Sequence, residues 1–388
     1  MTETLERTRP AEASSTPRRR IKVSQIGSRG IPGHRGGVER VVEAVAPRLV
    51  AAGHDVTVYC APWSDYKEPT YKGVNLKYVF GIQSKYLDTI GRSFVATLKE
   101  MVGDSDIVHY HGSGSAPLAL LARMAGKKVI VTIHGLDWQR RKWSVFGRWF
   151  LQLGERAALH LPHRTIVVGP DLKTALDNQY GVNVDYIPNG VDDRTVRPPD
   201  AIGRYGLGRR DYILYLARLV PEKQAHTLIA AWRGMAERRG MKLVIAGPAW
   251  HSEAYAASLR DMAKDDESVI FTGEVDEASL EELYSNCYAY VLPSEVEGMS
   301  LSLLDGMAYG ACIITSDIPA NAFVVGDAGV TFRVRDASDL LAALETVMNE
   351  PERAEALRRA AKRRMTEEFH WDAVVRQWDR LYQDVLKS

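Results

Sequence analysis

Strand-like and helix-like segments alternate along this chain twice over, and no other feature limits its possible folds as tightly. From residue 22 to 190 the runs KVSQIG, DVTVYCAP, NLKYVFG, IVHYHG, KVIVTIHG, RTIVVG and VDYIPNG read as strands, short and rich in β-branched and aromatic residues. Helical patterns separate several of them, VERVVEAVAPRLVAAG among them, with Gly53 placed to cap it. From residue 211 onward YILYLAR, KLVIAGP, VIFTG, YAYVLP and CIITS alternate with AHTLIAAWRGMAER, EAYAASLRDMAK and LEELYSNC. Such alternation predicts parallel sheets covered by helices on both faces. With 388 residues, 45% of them hydrophobic, the chain is long for one core. The predicted fold is therefore α/β, with two doubly wound, Rossmann-like domains facing each other across a cleft.

Residues 191–211, VDDRTVRPPDAIGRYGLGRRD, are rich in Pro, Gly and charge and read as the link between the domains. Residues 1–20 read as a disordered basic arm, 21–190 as the first domain and 191–368 as the second. A net charge of +1 argues against a nucleic-acid partner. Cys60, Cys287 and Cys312 are scattered singly, which excludes a CxxC metal motif and suggests a reducing compartment. No run approaches the roughly 18 apolar residues that span a bilayer. The polar N-terminus lacks the hydrophobic region of a signal peptide, so a cytoplasmic protein is expected.

Four features would line the cleft, because ligands of open parallel sheets bind beyond the C-terminal ends of the strands. The first is the loop GSRGIPGHRGGVER, residues 27–40, where Gly36-Gly37 lets backbone approach a ligand and the following helix start favours an anion. Its glycines miss the GxGxxG spacing, and a plain tight turn accounts for the loop equally well. The second is the pair IVHYHG and VTIHG, which set His109, His111 and His134 at strand ends. His109 and His111 share one face of a strand and could together hold a metal. With no third ligand at a suitable spacing, hydrogen-bonded cleft histidines are the expectation, and no metal. Asp104-Ser105-Asp106 has the spacing of a metal-binding acid pair but precedes a strand, and reads as loop.

The third feature is LYLARLVPEK, with Arg218 at a strand's end and Lys223 five residues on. Two such cations suit a diphosphate, Arg as a fork and Lys as a point charge, although surface cations are common. The fourth is SEVEGMSLSLLDGMAYG, residues 294–310, in which Glu297 leaves a strand and Asp305 lies on the following helix. That helix starts near Gly298, Met299 and Ser300, so its free amides can also face an anion.

Together the motifs resemble glycosyltransferase family 4, the retaining enzymes of the GT-B architecture. Members carry Pro-Ser, two variable residues, Glu-Gly-Phe-Gly and a second Glu eight positions after the first. Here the stretch reads PSEVEGMSLSLLDGMAYG, in which Glu297, Gly298, Met307, Ala308 and Gly310 match. Arg218 and Lys223 match the family's cationic clamp, with Gln224 where a glycine usually follows. YIPNGVD, VIAG, VIFTGEVDEASLEELYSNC and VGDAGVTF match in the second half, and GGVE, HYHG and TIHG in the first. FHWDAVVRQWDRLY resembles the family's last segment, which implies that residues 369–388 form a helix crossing back onto the first domain. GSRGIPGHRGGVE and GLDWQRRKW resemble rhamnosyltransferase-type bacterial members that build surface polysaccharides, which usually carry Asp where His134 stands. The departures are Asp305 for the second Glu, Met299 and Ser300 for an aromatic and a glycine, and Gly169 for a serine.

The resemblance implies a hexosyl- or deoxyhexosyltransferase that moves a sugar from a nucleoside-diphosphate sugar to a glycan or lipid-linked glycan. It implies retention, no metal, and no cofactor besides the donor as co-substrate. On this reading Glu297 lies near the sugar hydroxyls and the diphosphate, while Asp305 accepts hydrogen bonds from the ribose. Arg218, Lys223, the Gly36-Gly37 amides and the helix start near Ser300 take up the charge of the departing diphosphate. His134 orients the donor or contacts the acceptor, with His109 and His111 beside it. A nucleotide-sugar epimerase and a non-catalytic nucleotide-sugar binder of the same fold are the alternatives. Residues 138–156, WQRRKWSVFGRWFLQLGER, interleave cations with large apolar residues and admit a peripheral contact at the inner membrane face. The competing expectation, given more weight, is that Trp143, Phe146 and Phe150 pack inward.

Overall fold

The computed structural model describes residues 19–33, 36–81, 88–139, 143–250 and 252–387. The basic arm to residue 18, His34 and Arg35 of the first glycine loop, and the cations at 140–142 lie outside them.

The first sheet holds β1 (Lys22–Ile26), β2 (Asp55–Cys60), β3 (Thr70–Tyr71), β4 (Val74–Tyr78), β5 (Ile107–His111), β6 (Lys128–Ile133), β7 (Arg164–Val167) and β8 (Asp185–Tyr186). Their spatial order is β3-β4-β2-β1-β5-β6-β7-β8. All neighbours are parallel except the β3–β4 hairpin, an edge pairing that a purely parallel expectation misses. Its helices are α1 (Gly37–Ala51), α2 (Asp88–Met101), α3 (Ala119–Met124), α4 (Val145–His160) and α5 (Pro170–Tyr180).

The second sheet holds β9 (Tyr212–Leu216), β10 (Lys242–Ala246), β11 (Val269–Gly273), β12 (Ala289–Leu292), β13 (Cys312–Ser316) and β14 (Val330–Phe332). It runs β11-β10-β9-β12-β13-β14 and is parallel throughout. Strands such as LVIA at 243–246 are apolar without alternation because both faces are covered. The covering helices are α6 (Ala225–Gly234), α7 (Glu253–Met262), α8 (Glu277–Asn286), α9 (Leu301–Ala308), α10 (Pro319–Val325), α11 (Ala337–Asn349) and α12 (Pro351–Glu368).

The last helix, α13 (Trp371–Lys387), leaves the second sheet and completes the core of the first. Trp371, Val374, Trp378 and Tyr382 pack there among Ile21, Val23, Val56 and Ile107. The return is secured where Val191 bridges His370, so the outgoing link and the returning strap touch. A buried pair, His54 Nε2 with Asp379 Oδ1 at 3.0 Å, ties α13 to the first domain. His54 Nδ1 accepts from the Ile21 amide, so its proton sits on Nε2 and points at Asp379.

Both sheets have a switch point where successive connections leave to opposite sides, the place where open parallel sheets take ligands. In the first sheet it lies between β1 and β5; in the second it lies between β9 and β12. Among the described residues, no helix is long and apolar enough to cross a membrane.

Inward packing of Phe146 does not hold: it stands 72% exposed, next to exposed Val145 and Trp149, while Trp143 and Phe150 are half-buried. The buried stripe of α4 is instead Leu151, Gly154, Glu155, Ala158 and Leu159. Gly154 sets this rotation. A Cβ there would lie 2.4 Å from the Ser113 carbonyl, so the helix seats this glycine on the turn at Ser113–Leu118. An i, i+3, i+7 count of large residues carries no information about that close approach.

Candidate active site

Lys223 of the clamp and the first acid, Glu297, meet at the second switch point. Lys223 ends the turn Pro221–Lys223 that follows β9, and Glu297 sits in the loop that follows β12. Their side chains form an ion pair, each mostly shielded from solvent. The two loops are laced together by the Glu295 amide donating to the Glu222 carbonyl at 2.9 Å. Gln224 stands in the left-handed region at φ 57°, which explains why a glycine suits that place. Gln224 is held there by Nε2 donating to Glu295 at 3.0 Å and by Thr227 donating to its Oε1 at 2.8 Å. Arg218, two residues beyond β9, is exposed on the same side.

Gly298 brings the domains into contact. A Cβ on it would lie 1.8 Å from the His134 carbonyl and 3.1 Å from the Gly135 Cα, so only glycine permits the approach. The next residue, Met299, turns into the second domain's core, where Asn189 donates from Nδ2 to its carbonyl at 3.1 Å. Sequence reasoning set Met299 at the helix start, among the residues facing the ligand; its side chain instead packs into the core behind the loop. Ser300 caps α9, its hydroxyl accepting from the Leu303 amide.

Gly36 and Gly37 begin α1. One turn further on, Arg40 reaches across the cleft to Asp305 on α9, Nη2 to Oδ2 at 2.6 Å. Arg194 of the interdomain link takes the other oxygen at 3.1 Å. Asp305 is almost fully buried, and its charge holds the Arg40 guanidinium above its usual range. Neither arginine figures among the residues that sequence reasoning selected. Their only signal was proximity, Arg40 to the glycine pair and Arg194 to the NGVD turn. The ribose role assigned to Asp305 therefore requires a hydroxyl pair to share or displace these guanidinium groups.

Behind the cleft stands a column of rings. His109 and His111, alternate residues of β5, stack at 4.7 Å between centroids, and Trp378 of α13 lies against both. Sequence reasoning placed these histidines among the substrate contacts. The structure buries them at 0% and 2% exposure and spends their nitrogens on neighbours, which leaves His109 no lone pair for a metal. His109 meets Tyr382 and Thr132, each at 2.7 Å. His111 meets Gln25 at 2.5 Å and His134 at 3.0 Å. Burial pulls the His109 pKa down to about 3 and that of His111 well below the ordinary range, so both are neutral.

Proton counting then fixes the direction of the chain. Gln25 donates from Nε2 to the Tyr382 hydroxyl at 3.1 Å, so its Oε1 can only accept from His111 Nε2. A neutral imidazole carries one proton, so His111 Nδ1 is the acceptor and His134 Nε2 is the donor. His134, at the end of β6 and against Gly298, is thus oriented by its Nε2–H bond to His111.

Comparison with known proteins bears on the family and the fold. The model of "Glycosyltransferase Family 4" matches residues 35–195 and that of "Glycosyl transferases group 1" matches residues 204–364. The glycogen synthase of Mycobacterium tuberculosis strain H37Rv is 28% identical over 377 residues, 88% of this chain and 89% of the relative. A GDP-mannose-dependent alpha-(1-6)-phosphatidylinositol monomannoside mannosyltransferase of Mycolicibacterium smegmatis is 26% identical over 366 residues, 88% of this chain and 93% of the relative. Among solved structures, sucrose-phosphate synthase from Thermosynechococcus elongatus superposes with a TM-score of 0.82 at 20% identity, covering 95% of this chain and all of that one.

Proposed function

Because the chain belongs to glycosyltransferase family 4 and has the GT-B architecture, we propose that it moves a sugar from a nucleoside-diphosphate sugar to a glycan or lipid-linked glycan, with retention and without a metal. The observation that carries this reading is the Lys223–Glu297 ion pair, with Arg218 beside it, at the switch point of the second sheet. The relatives support the donor class, since one is named for its GDP-mannose dependence.

Breaking the anomeric C–O bond sends the electron pair to the diphosphate oxygen. Lys223 shares its charge between Glu297 and that oxygen, Arg218 supplies a second cation, and the α9 amides after Gly298 point at the same place. These groups are held in place before the reaction, so stabilisation costs little reorganisation. Glu297, held by Lys223, faces the sugar hydroxyls. Retention brings the acceptor to the face that the diphosphate leaves, so a diphosphate oxygen is the nearest base for the acceptor's proton. His134, its ring oriented by the Nε2–H bond to His111, stands on the first-domain side of the donor sugar and helps to orient it. We place the protein in the cytoplasm, with no cofactor beyond the donor.

The test is a thermal-shift panel of UDP, GDP, ADP, CDP and dTDP and their sugar conjugates, a deoxyhexose included, with and without EDTA. A ligand bound only by the folded state raises the melting temperature. Selective stabilisation by one nucleotide, insensitive to EDTA and lost in Arg218→Ala, is the expected result. No shift from any nucleotide overturns the donor site. Binding without nucleotide release in the presence of any glycan acceptor would leave a non-catalytic binder.

A further inference from the structure

We propose that the outer face formed by α2, α3 and α4 docks on an anionic lipid bilayer. On α4, Val145, Phe146, Trp149 and Leu153 are exposed, and the Phe146 and Trp149 rings lie 5.8 Å apart. Phe94, Leu98 and Val102 project from α2 and its end at four-residue spacing, one helical face. Leu120 and Met124 do the same on α3. Beyond this face, only Phe80 and Val196 are large, apolar and exposed among the described residues. Scattered apolar residues are ordinary on a surface, but such concentration on adjoining helices is not.

The three helices adjoin. Arg123 of α3 donates to the Leu161 carbonyl just past α4 at 2.7 Å, and Lys127 just past α3 donates to the Gly103 carbonyl just past α2 at 2.6 Å. Both α2 and α4 also pack on the turn at Ser113–Leu118.

Charge selects the occupant. The acids of these helices are Asp88, Glu100 and Glu155, and all are buried. Asp88 is held by Arg92 and Arg29, Glu100 by Tyr59 and Ser105, and Glu155 by Trp138 and Tyr180. Lys99, Arg123, Arg148 and Arg156 stand exposed. The three helices therefore offer apolar anchors with cations among them and no exposed acid, the nearest being Asp104 past α2, which pairs with Lys22; this is the pattern of a segment lying in an anionic interface. A second copy fits less well, because a two-fold contact would bring Arg148 and Arg156 against their like. The α4 start lies eleven residues after His134, which would hold the cleft mouth near a membrane-borne acceptor.

The experiment is co-sedimentation of the full chain with phosphatidylcholine vesicles, with and without phosphatidylglycerol, at low and high salt. Binding to the anionic vesicles that weakens with salt is expected. Phe146→Ser with Trp149→Ser, and separately Arg148→Glu with Arg156→Glu, should each weaken it by about tenfold or more, with unchanged melting temperature. All four side chains are outside the cleft. No binding at low salt, or binding untouched by both double variants, overturns the proposal. So does a dimer in sedimentation velocity that the Phe146/Trp149 variant dissociates, which would assign the face to a second copy. Vesicle binding needs no nucleotide, so failure of the donor reading would leave this result standing.

Discussion

His134 takes its tautomer from residues that meet no ligand. Gln25, His111 and Tyr382 are all buried, and each has its donors and acceptors set by the next. Keeping His109 and His111 neutral has a cost that appears on acidification. In the unfolded chain each titrates near 6.5, whereas the folded His109 holds out to about 3. Between those values the unfolded state binds more protons, so stability rises with pH through this window and falls as pH drops below about 6.5. Urea midpoints should therefore decline from pH 7 to 4 by up to about 1.4 kcal/mol per pH unit for each histidine, and His109→Gln should flatten the decline. A profile flat across that window would mean that the ring column is open to solvent. In the cleft, Arg218→Ala should lower kcat by about 10²–10³, the loss of one preorganised charge donor, with the melting temperature unchanged because the side chain is exposed. Wild-type turnover in that variant would remove Arg218 from the clamp.

At the scale of elements, α13 belongs by sequence to the second domain and by packing to the first. Its amphipathic pattern, with Trp371, Val374, Trp378, Leu381 and Tyr382 on one face, was legible as a helix, and its return across the molecule was legible only through family resemblance. The strand alternation was readable because each central strand is buried on both faces and must be apolar. The Glu297, Lys223 and Gly298 positions were legible through the family motifs that they match, since residue type and spacing alone left a solvated surface equally open. What resisted reading depends on long-range contact: Gly154 choosing the rotation of α4, Arg194 returning to α9, and Tyr382 joining Gln25 across 357 residues. Tyr382→Phe tests the strap. It keeps the ring contact with His109 and Trp378 but removes the hydroxyl that Gln25 Nε2 and His109 Nδ1 share in a buried site. Stability should fall by about 1–3 kcal/mol. His134 should lose its fixed Nε2–H form, visible in ¹⁵N-histidine spectra, and kcat should drop more than KM changes. Unchanged histidine spectra would reduce α13 to packing alone.

For the whole molecule, the contacts that join the two domains across the cleft include an ion pair. Gly298 abuts His134, Asn189 holds Met299, and Arg40 of α1 grips Asp305 of α9. An aspartate here is one methylene shorter than the family's glutamate, and it lies almost wholly buried between Arg40 and Arg194. Removing either side of the contact should therefore have unequal effects. Arg40 keeps 39% of its side chain in solvent, so Arg40→Ala forfeits a screened interaction of about 1 kcal/mol and leaves Asp305 paired with Arg194. Asp305→Ala strands two guanidinium groups at once and should cost about 2–4 kcal/mol. Both substitutions should raise the radius of gyration measured by small-angle X-ray scattering, since the cleft loses its charged latch. If Asp305 also receives the donor's ribose, Asp305→Ala alone should abolish nucleotide binding, while Arg40→Ala retains it. Equal loss of binding in the two variants would mean that closure, and not the carboxylate, is what the nucleotide needs. An unchanged radius of gyration in both would assign domain contact to Gly298 and α13, with the arginines only neutralising a buried acid.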